Sequence, residues 1–242
     1  MSSTHETGHT KNVSTFLALL GFVNGWGADY QPTKTAISAA NLAALHPLCE
    51  AAVKEAADQE KIFDDLVDQR MIAFEPLQPY STRILNAFSV IDLPQDTVNG
   101  AIEINRKIQG QRATPKKETT ATDGKSVSAS QMSYDNNVKH FSDLVAWVSL
   151  QPTYKPNEKD LQVPALKSYE TKIDNANKAV INGQVPYDNK LDARDLLLYA
   201  PKTGMVDVAL EVKKYAKSAF GAKSAKFKQI SGLAFTKQPR KK

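Results

Sequence analysis

The pattern Tyr-x-Pro occurs at Tyr30-Gln31-Pro32 and again at Tyr154-Lys155-Pro156, 124 residues further on. Moving the chain against itself by the same interval also aligns Asn12 with Asn136, Leu20 with Leu144, Leu42 with Leu166, Ala52 with Ala176 and Lys54 with Lys178. Asp64, Asp68 and Arg70 fall on Asp188, Asp192 and Arg194. That makes ten identities without a gap, where ordinary residue frequencies give about four. Phe63 pairs with Tyr187, Ile84 with Val208 and Phe88 with Val212, and "RKIQG" (106–110) is echoed by "KQISG" (228–232). A long internal period is the signature of one unit built twice, so any fold for this chain has to place two similar units.

Each unit is expected to be helical. Val13, Phe16, Leu17, Leu20 and Val23 follow a spacing of three and four, as do Val138, Phe141, Val145 and Val148. The run "FLALLGFV" (16–23) therefore reads as the first helix of a repeat and not as a signal-peptide core. The Tyr-x-Pro turn ends each of these helices, since proline fixes its own φ and disfavours helix at the residue before it. A long helix is predicted over about 34–74, with apolar positions at Ile37, Leu42, Leu45, Cys49, Val53, Ala56, Phe63 and Leu66, and with an early kink at Pro47. Its counterpart runs over about 158–199, with a break or kink at Gly183 and Pro186. Shorter helices are predicted near 80–92, near 96–109 with Asp96 as N-cap, and over 206–220. No segment shows a convincing strand pattern. The expected fold is all-α: two duplicated helical-bundle units with long, proline-kinked helices.

The predicted organisation is a disordered N-terminus (1–11), helical repeat 1 (12–109), a flexible linker (110–133), helical repeat 2 (134–235) and a basic tail end (236–242). The linker assignment follows from a stretch rich in Thr, Ser, Lys and Ala with no aromatic residue. A single cysteine, Cys49, forbids an internal disulfide. No apolar run reaches the ~18–20 residues of a membrane-spanning helix. The expected location is cytoplasmic.

The blocks "AFEPLQPYSTRILNAF", "EINRKIQGQRA" and "EVKKYAKSAFG…KQISGLAF" resemble a family of uncharacterised bacterial helical proteins, over most of the chain. The resemblance implies an all-helical, bacterial protein and brings no activity, cofactor or binding residues with it.

Catalytic signatures are sparse. "HETGH" (5–9) fits the H-E-x-x-H pattern, in which two histidines on one helix face bind zinc and the glutamate serves as general base. That chemistry needs a buried helix, a pocket and a third ligand. Here Met1 is the only apolar residue among the first ten and Gly8 interrupts the motif, so His5, Glu6 and His9 read as a frayed polar end. Cys49 has His46 beside it on the same predicted helix, which does not supply nucleophile-and-base geometry, and it reads as a buried inert thiol. There is no P-loop, dinucleotide fingerprint, C-x-x-C or G-x-S-x-G. No catalytic residue, cofactor, metal or small-molecule substrate is assigned.

Two sets of residues remain as candidate sites. The block F-D-x-x-x-D-x-R (63–70) recurs as Y-D-x-x-x-D-x-R (187–194). On a helix Asp64 shares a face with Asp68, and Asp188 with Asp192. Structural ion pairs, a protein contact and a hard-cation site such as Ca²⁺ or Mg²⁺ all fit such carboxylates. Arg70 and Arg194, two residues beyond an aspartate, are expected to reach partners on other helices. The second set is the basic C-terminus: residues 213–242 hold ten Lys/Arg and no Asp/Glu, whereas residues 1–212 hold 21 basic and 26 acidic residues. There Lys213, Lys214, Lys217, Lys223, Lys226 and Lys228 interleave with Tyr215, Phe220 and Phe227. Lysines and aromatics together suit phosphate contact with base stacking or an anionic membrane surface, and equally a helix whose aromatics pack inward while its lysines are solvated. Trp26 and Trp147, nearly equivalent in the two copies, read as core anchors.

The leading expectation is a non-enzymatic helical protein that binds another protein, or itself, through its bundle surfaces. A nucleic-acid-associated protein using the basic segment comes second. A membrane-active protein using "FLALLGFVNGW" comes third.

Overall fold

A computed structural model of the chain describes residues 8–111 and 132–238. The fold is all-α, and the described residues contain no strand. The helices are α1 (His9–Trp26), α2 (Ala39–Phe74), α3 (Leu77–Ser89), α4 (Gln95–Ile108), α5 (Tyr134–Ser149), α6 (Val163–Tyr199), α7 (Met205–Phe220) and α8 (Ala225–Ser231). No helix among the described residues is long and apolar enough to cross a membrane.

The chain forms two compact units, Met1–Phe63 with Gln184–Lys242, and Asp64–Gly183. They cut across the sequence ranges 12–109 and 134–235, because the division falls inside α2 and inside α6. The start of α2 belongs to the first unit and its end to the second. For α6 the order is reversed. The expected break at Gly183 and Pro186 does not occur: α6 is helical throughout, and α2 continues through Pro47. A proline inside a helix loses one backbone bond and crowds the preceding turn. Burial offsets that cost on both flanks of Pro186, where Ile173 and Val180 lie before it and Leu198 after it.

In the first unit α1 packs against α7 and α8. Phe16, Leu19 and Val23 of α1 meet Leu42 and Cys49 of α2 and Val212 of α7 in one apolar cluster. The face of α1 predicted from its spacing is the buried one, with one exception: Leu17 is 52 % exposed, and Leu19 is buried in its place. Phe63 stacks on Tyr187 with ring centroids 5.3 Å apart. Trp26 donates from Nε1 to Gln229 Oε1 at 3.0 Å. Cys49 is fully buried, which pushes its thiol up to about 11. His46 stacks on Phe16 and offers that thiol no base.

The second unit packs α4 against both α3 and α5. Its core joins Ile84 and Phe88 of α3 to Ile108 of α4, Phe141 and Leu144 of α5 and Leu166 of α6. α4 starts at Gln95 behind Pro94, so Asp96 lies in the first turn and is not the cap. There its charge complements the helix dipole. Trp147 donates from Nε1 to the Thr97 carbonyl at 2.9 Å and lies across Gly100.

Between α1 and α2, and again between α5 and α6, stands a compact turn. Tyr30 donates its hydroxyl to the Ile37 carbonyl at 2.7 Å, and residues 35–37 form a 3-10 turn. Tyr154 donates to the Leu161 carbonyl at 2.9 Å, and residues 159–161 form another. Both tyrosines are buried.

A Cβ added at Gly100 would stand 2.3 Å from Trp147 Cζ2. Gly100→Ala should therefore destabilise the protein by about 1–3 kcal/mol through overpacking, although alanine is the better helix former by about 1 kcal/mol. Urea denaturation measures this. A variant as stable as the parent would show that α4 and α5 do not approach through this glycine.

Candidate functional site

The charged residues singled out by the F/Y-D-x-x-x-D-x-R blocks take different partners in the two units. In the second unit Arg70 lies over the Tyr134 ring at 4.0 Å and donates from Nη1 to Asn177 Oδ1 at 3.4 Å. Asn177 in turn donates to Asp135 Oδ1 at 2.6 Å. Arg70 thus reaches α5 and α6, as expected of a residue with no partner on its own turn. Arg194, in the first unit, differs: its Nε and Nη2 donate to Asp195 Oδ1, the next residue on α6, at 2.9 and 2.7 Å. Side chains at 13 % and 14 % exposure hold that pair at low solvent access, so the neighbouring charge serves in place of one on another helix. Asp64, Asp68 and Asp192 are exposed, and Asp188 accepts from Gln184 Nε2 at 3.1 Å. Among the described residues no group of three or more His, Cys, Asp or Glu is arranged to hold a metal ion.

Of the HETGH motif, His5 and Glu6 lie outside the described residues. His9 is not frayed. It opens α1, and its Nδ1 lies 2.7 Å from the Tyr199 hydroxyl. Burial and the Arg194 charge lower its pKa. Asn12 adds a reciprocal pair with the main chain at Thr236, donating from Nδ2 to its carbonyl at 2.7 Å and accepting from its N–H at 3.1 Å. The expected linker falls mostly on residues 112–131 and the end of the tail on residues 239–242, which lie outside the described residues.

The basic C-terminus is largely folded onto the first unit. Lys213 donates to the Ser231 and Leu233 carbonyls, both at 2.9 Å, and so closes the C-terminal end of α8. Lys226 pairs with Asp29 and lies 4.8 Å over the Phe220 ring, and Lys237 pairs with Asp207 at 2.6 Å. Phe227 is half-buried and packs on the core with Tyr215 and Phe220. Lys214, Lys217, Lys223 and Lys228 are exposed, and neither a hydrogen bond nor an ion pair within the described residues holds their side chains.

The clearest concave surface of the second unit flanks α3. That helix buries Leu77, Ser81, Ile84 and Phe88, a stripe of four-residue and three-residue steps that leaves Arg83, Asn86 and Val90 outward. Opposite runs segment 153–161. Its floor is pinned by the Tyr154 hydroxyl bond, by Leu161 in the core, and by Gln162 Nε2 donating to the Pro156 carbonyl at 3.2 Å. Arg83 Nη1 donates to Asp160 Oδ2 at 2.6 Å and ties one end of the segment to α3. The rest stands away from the helix and leaves an open cleft of about 530 Å³. Its floor is Ala87, Ile91 and Leu161, and its walls carry Asn86, Thr153, Lys155, Asn157 and Glu158. None of these five polar side chains makes a hydrogen bond or ion pair within the described residues. Val90, at the rim, is 83 % exposed.

Behind the Arg83–Asp160 pair lies a second cleft of about 330 Å³, lined by Pro76, Pro79, Tyr80, Tyr169 and Lys172. Its tyrosines are spent on the fold: Tyr80 donates to the Asp160 carbonyl and Tyr169 to the Ala73 carbonyl. Burial raises the pKa of both, Tyr80 with help from Asp160 and Tyr169 from Tyr80, so neither is a ready acid or base near neutrality. A third cleft, about 590 Å³ between α5 and α6, is lined by charges of both signs, Asp143 and Glu170 with Lys139 and Lys167.

The open cleft contains none of the candidate site residues, and only Lys155 and Pro156 of the second Tyr-x-Pro turn were singled out from the sequence. The available signal was a difference between positions 124 residues apart: Ala87 stands where Glu211 does and Glu158 where Lys34 does. In the first unit Lys34 and Glu211 form an ion pair at 2.5 Å across the corresponding turn.

No family model, curated protein or solved structure matches the chain.

Two outcomes are expected at these residues. Phe227→Ala should lower stability by about 1–3 kcal/mol, part of the loss for a fully buried ring, and thermal unfolding measures it. An unchanged melting temperature would return Phe227 to the candidate binding surface. The second concerns His140, which is buried on α5 with neither ring nitrogen hydrogen-bonded within the described residues. Burial, with Lys107 and Lys139 against Asp143, lowers its pKa below 6.5. The unfolded chain therefore binds the proton first, and the stability held above about pH 6.5 is lost as the pH falls below it. His140→Leu should flatten this acid limb in denaturation curves taken from that pH downwards, leaving the share due to His9. An unchanged limb would show that the folded chain binds this proton as readily as the unfolded one.

Proposed function

We propose that this chain is a non-enzymatic helical protein, built by tandem duplication, that binds a protein partner through its bundle surfaces. The duplication is supported by matched burial and matched hydrogen bonds. Leu42 and Leu166 are both fully buried, as are Phe88 and Val212. The Tyr30–Ile37 bond has its counterpart in Tyr154–Leu161 at the interval of 124. On this reading each compact unit joins the front of one copy to the back of the other. The resemblance to uncharacterised bacterial helical proteins accords with this and supplies no activity.

The observation that carries the binding role is the contrast between two corresponding turns. In the first unit Lys34–Glu211 and Asp29–Lys226 fasten the turn to α7 and α8. In the second unit those positions hold Glu158, Ala87, Thr153 and Ile102, Arg83–Asp160 fastens the turn at one end only, and the cleft stands open beyond it with its polar groups unspent. A cleft whose polar groups no bond of the fold engages leaves them available to a partner.

The four exposed lysines Lys214, Lys217, Lys223 and Lys228 support a second reading, an anionic partner such as nucleic acid. A titration of the full chain with duplex DNA, single-stranded DNA and anionic vesicles at ~50 mM salt separates the two, because phosphate contacts are strong there and weaken steeply as counterions are added. The expected outcome is no binding to any of the three. Sedimentation across a range of concentrations then tells self-association from a distinct partner, since a second copy of the chain raises the mass above 26.6 kDa. Tight binding to DNA with a salt slope that drops by about three when Lys217, Lys223 and Lys228 are neutralised together would overturn the protein-partner reading.

A further inference from the structure

We infer that the open cleft between α3 and segment 153–161 binds an extended peptide. The inference rests on the proposed binding role and names the occupant.

The chemistry of the cleft selects this class. Asn86 on one wall and Asn157 on the other each offer an amide that both donates and accepts, and Thr153 adds a hydroxyl. These are the groups that pair with main-chain N–H and C=O of an extended chain. The floor of Ala87, Ile91 and Leu161 is apolar and shallow, and Val90 at the rim keeps an apolar side chain in water. That combination takes one modest apolar side chain from the peptide. No aromatic side chain lines the cleft, so it lacks the stacking face on which nucleobases are held. Its lining mixes polar and apolar side chains, unlike the mainly apolar sites of small ligands.

Charge sets the direction. Lys155 and Glu158 stand on the same wall, and neither pairs within the described residues. Arg83 at the end of the cleft is already neutralised by Asp160. A complementary peptide carries an acidic residue towards Lys155 and a basic residue towards Glu158, with the apolar residue between them.

The first unit supplies the design of the test. Ala87→Glu with Glu158→Lys places in the second unit the residues that form the Lys34–Glu211 pair in the first. The double variant should close the cleft by an ion pair of its own. Asn86→Ala with Asn157→Ala removes the two amides without touching a bond of the fold.

The probe is a phage-displayed library of random nonapeptides, selected on the immobilised full-length protein. Selected sequences are then measured as free peptides by calorimetry against the parent and both double variants. The expected result is enrichment of peptides with an apolar residue between opposite charges. Their affinity should fall at least tenfold for each double variant, while the melting temperatures of the variants stay at the parent value. Enriched peptides that bind both variants as tightly as the parent would overturn the inference, as would a library that yields no peptide above background. If the strapped variant fails to fold, the Asn86→Ala/Asn157→Ala protein decides alone, because its side chains carry no bond within the described residues. Self-association that persists undiminished in the variants, beside a library that yields nothing, would sink the peptide assignment and leave the broader binding role standing. DNA binding in the separate titration would sink that role first.

Discussion

A phenol hydroxyl bonded to a buried carbonyl seven residues on is the interaction from which both ends of this fold take their form. Tyr30 makes it to Ile37 and Tyr154 makes it to Leu161. The chain leaves a helix, passes a proline and enters a long helix through a 3-10 turn, and main-chain groups in such a stretch are expensive to bury unpaired. The tyrosine meets that demand from inside the core. It also shapes the turn above it: the base of the loop is fixed by the ring and by a buried aliphatic residue, Ile37 or Leu161, while the residues between them carry no packing duty. Sequence change is cheap there, and that is where one turn is tied to α7 by Lys34–Glu211 and the other is tied to α3 only at Asp160 and lines an open cleft.

Much of this fold was legible because helical periodicity is a local signal. The stripe containing Leu42 and Cys49 and the one containing Phe141 and Val145 are buried as their spacing requires. The ends of the helices were legible to within a few residues, since prolines and glycines mark them. What periodicity does not carry is which core a stripe is buried in. The copies read from the sequence as contiguous ranges, whereas compactness divides α2 near Phe63 and α6 near Gly183. The same limit explains Pro186. Proline disfavours helix by a local rule, but a helix anchored by Val180 before it and Leu198 after it continues because leaving would expose both flanks.

The site was less legible, for a reason of charge accounting. Basic residues stand out in a sequence because their partners lie elsewhere in the chain. Of the seven lysines from Lys213 to Lys237, three, Lys213, Lys226 and Lys237, are engaged by the fold, beside the exposed Lys214, Lys217, Lys223 and Lys228. Those three are held by carbonyls or carboxylates that no local pattern reveals. Composition thus overstates the free charge of a segment that is folded against acidic residues such as Asp29 and Asp207. The cleft errs in the opposite direction. Asn86, Thr153 and Asn157 are ordinary residues for a helix surface and a loop, and only their convergence with nothing to bond makes them chemical.

The contrast between the turns also bears on stability. An exposed ion pair such as Lys34–Glu211 is worth no more than about 1 kcal/mol, so its absence from the second unit does not endanger the fold. Most of the energy holding segment 153–161 comes from below, from Tyr154 and Leu161, and Arg83–Asp160 adds a tie at one end. The cleft wall is therefore stiff at its base and fastened at one point, while Thr153, Lys155 and Asn157 keep their rotamers free. A wall of that kind binds with little loss of backbone entropy, since the segment is ordered before the ligand arrives. The cost that remains is fixing a few side chains. This favours a ligand that engages several of them at once along its length over one that meets a single group.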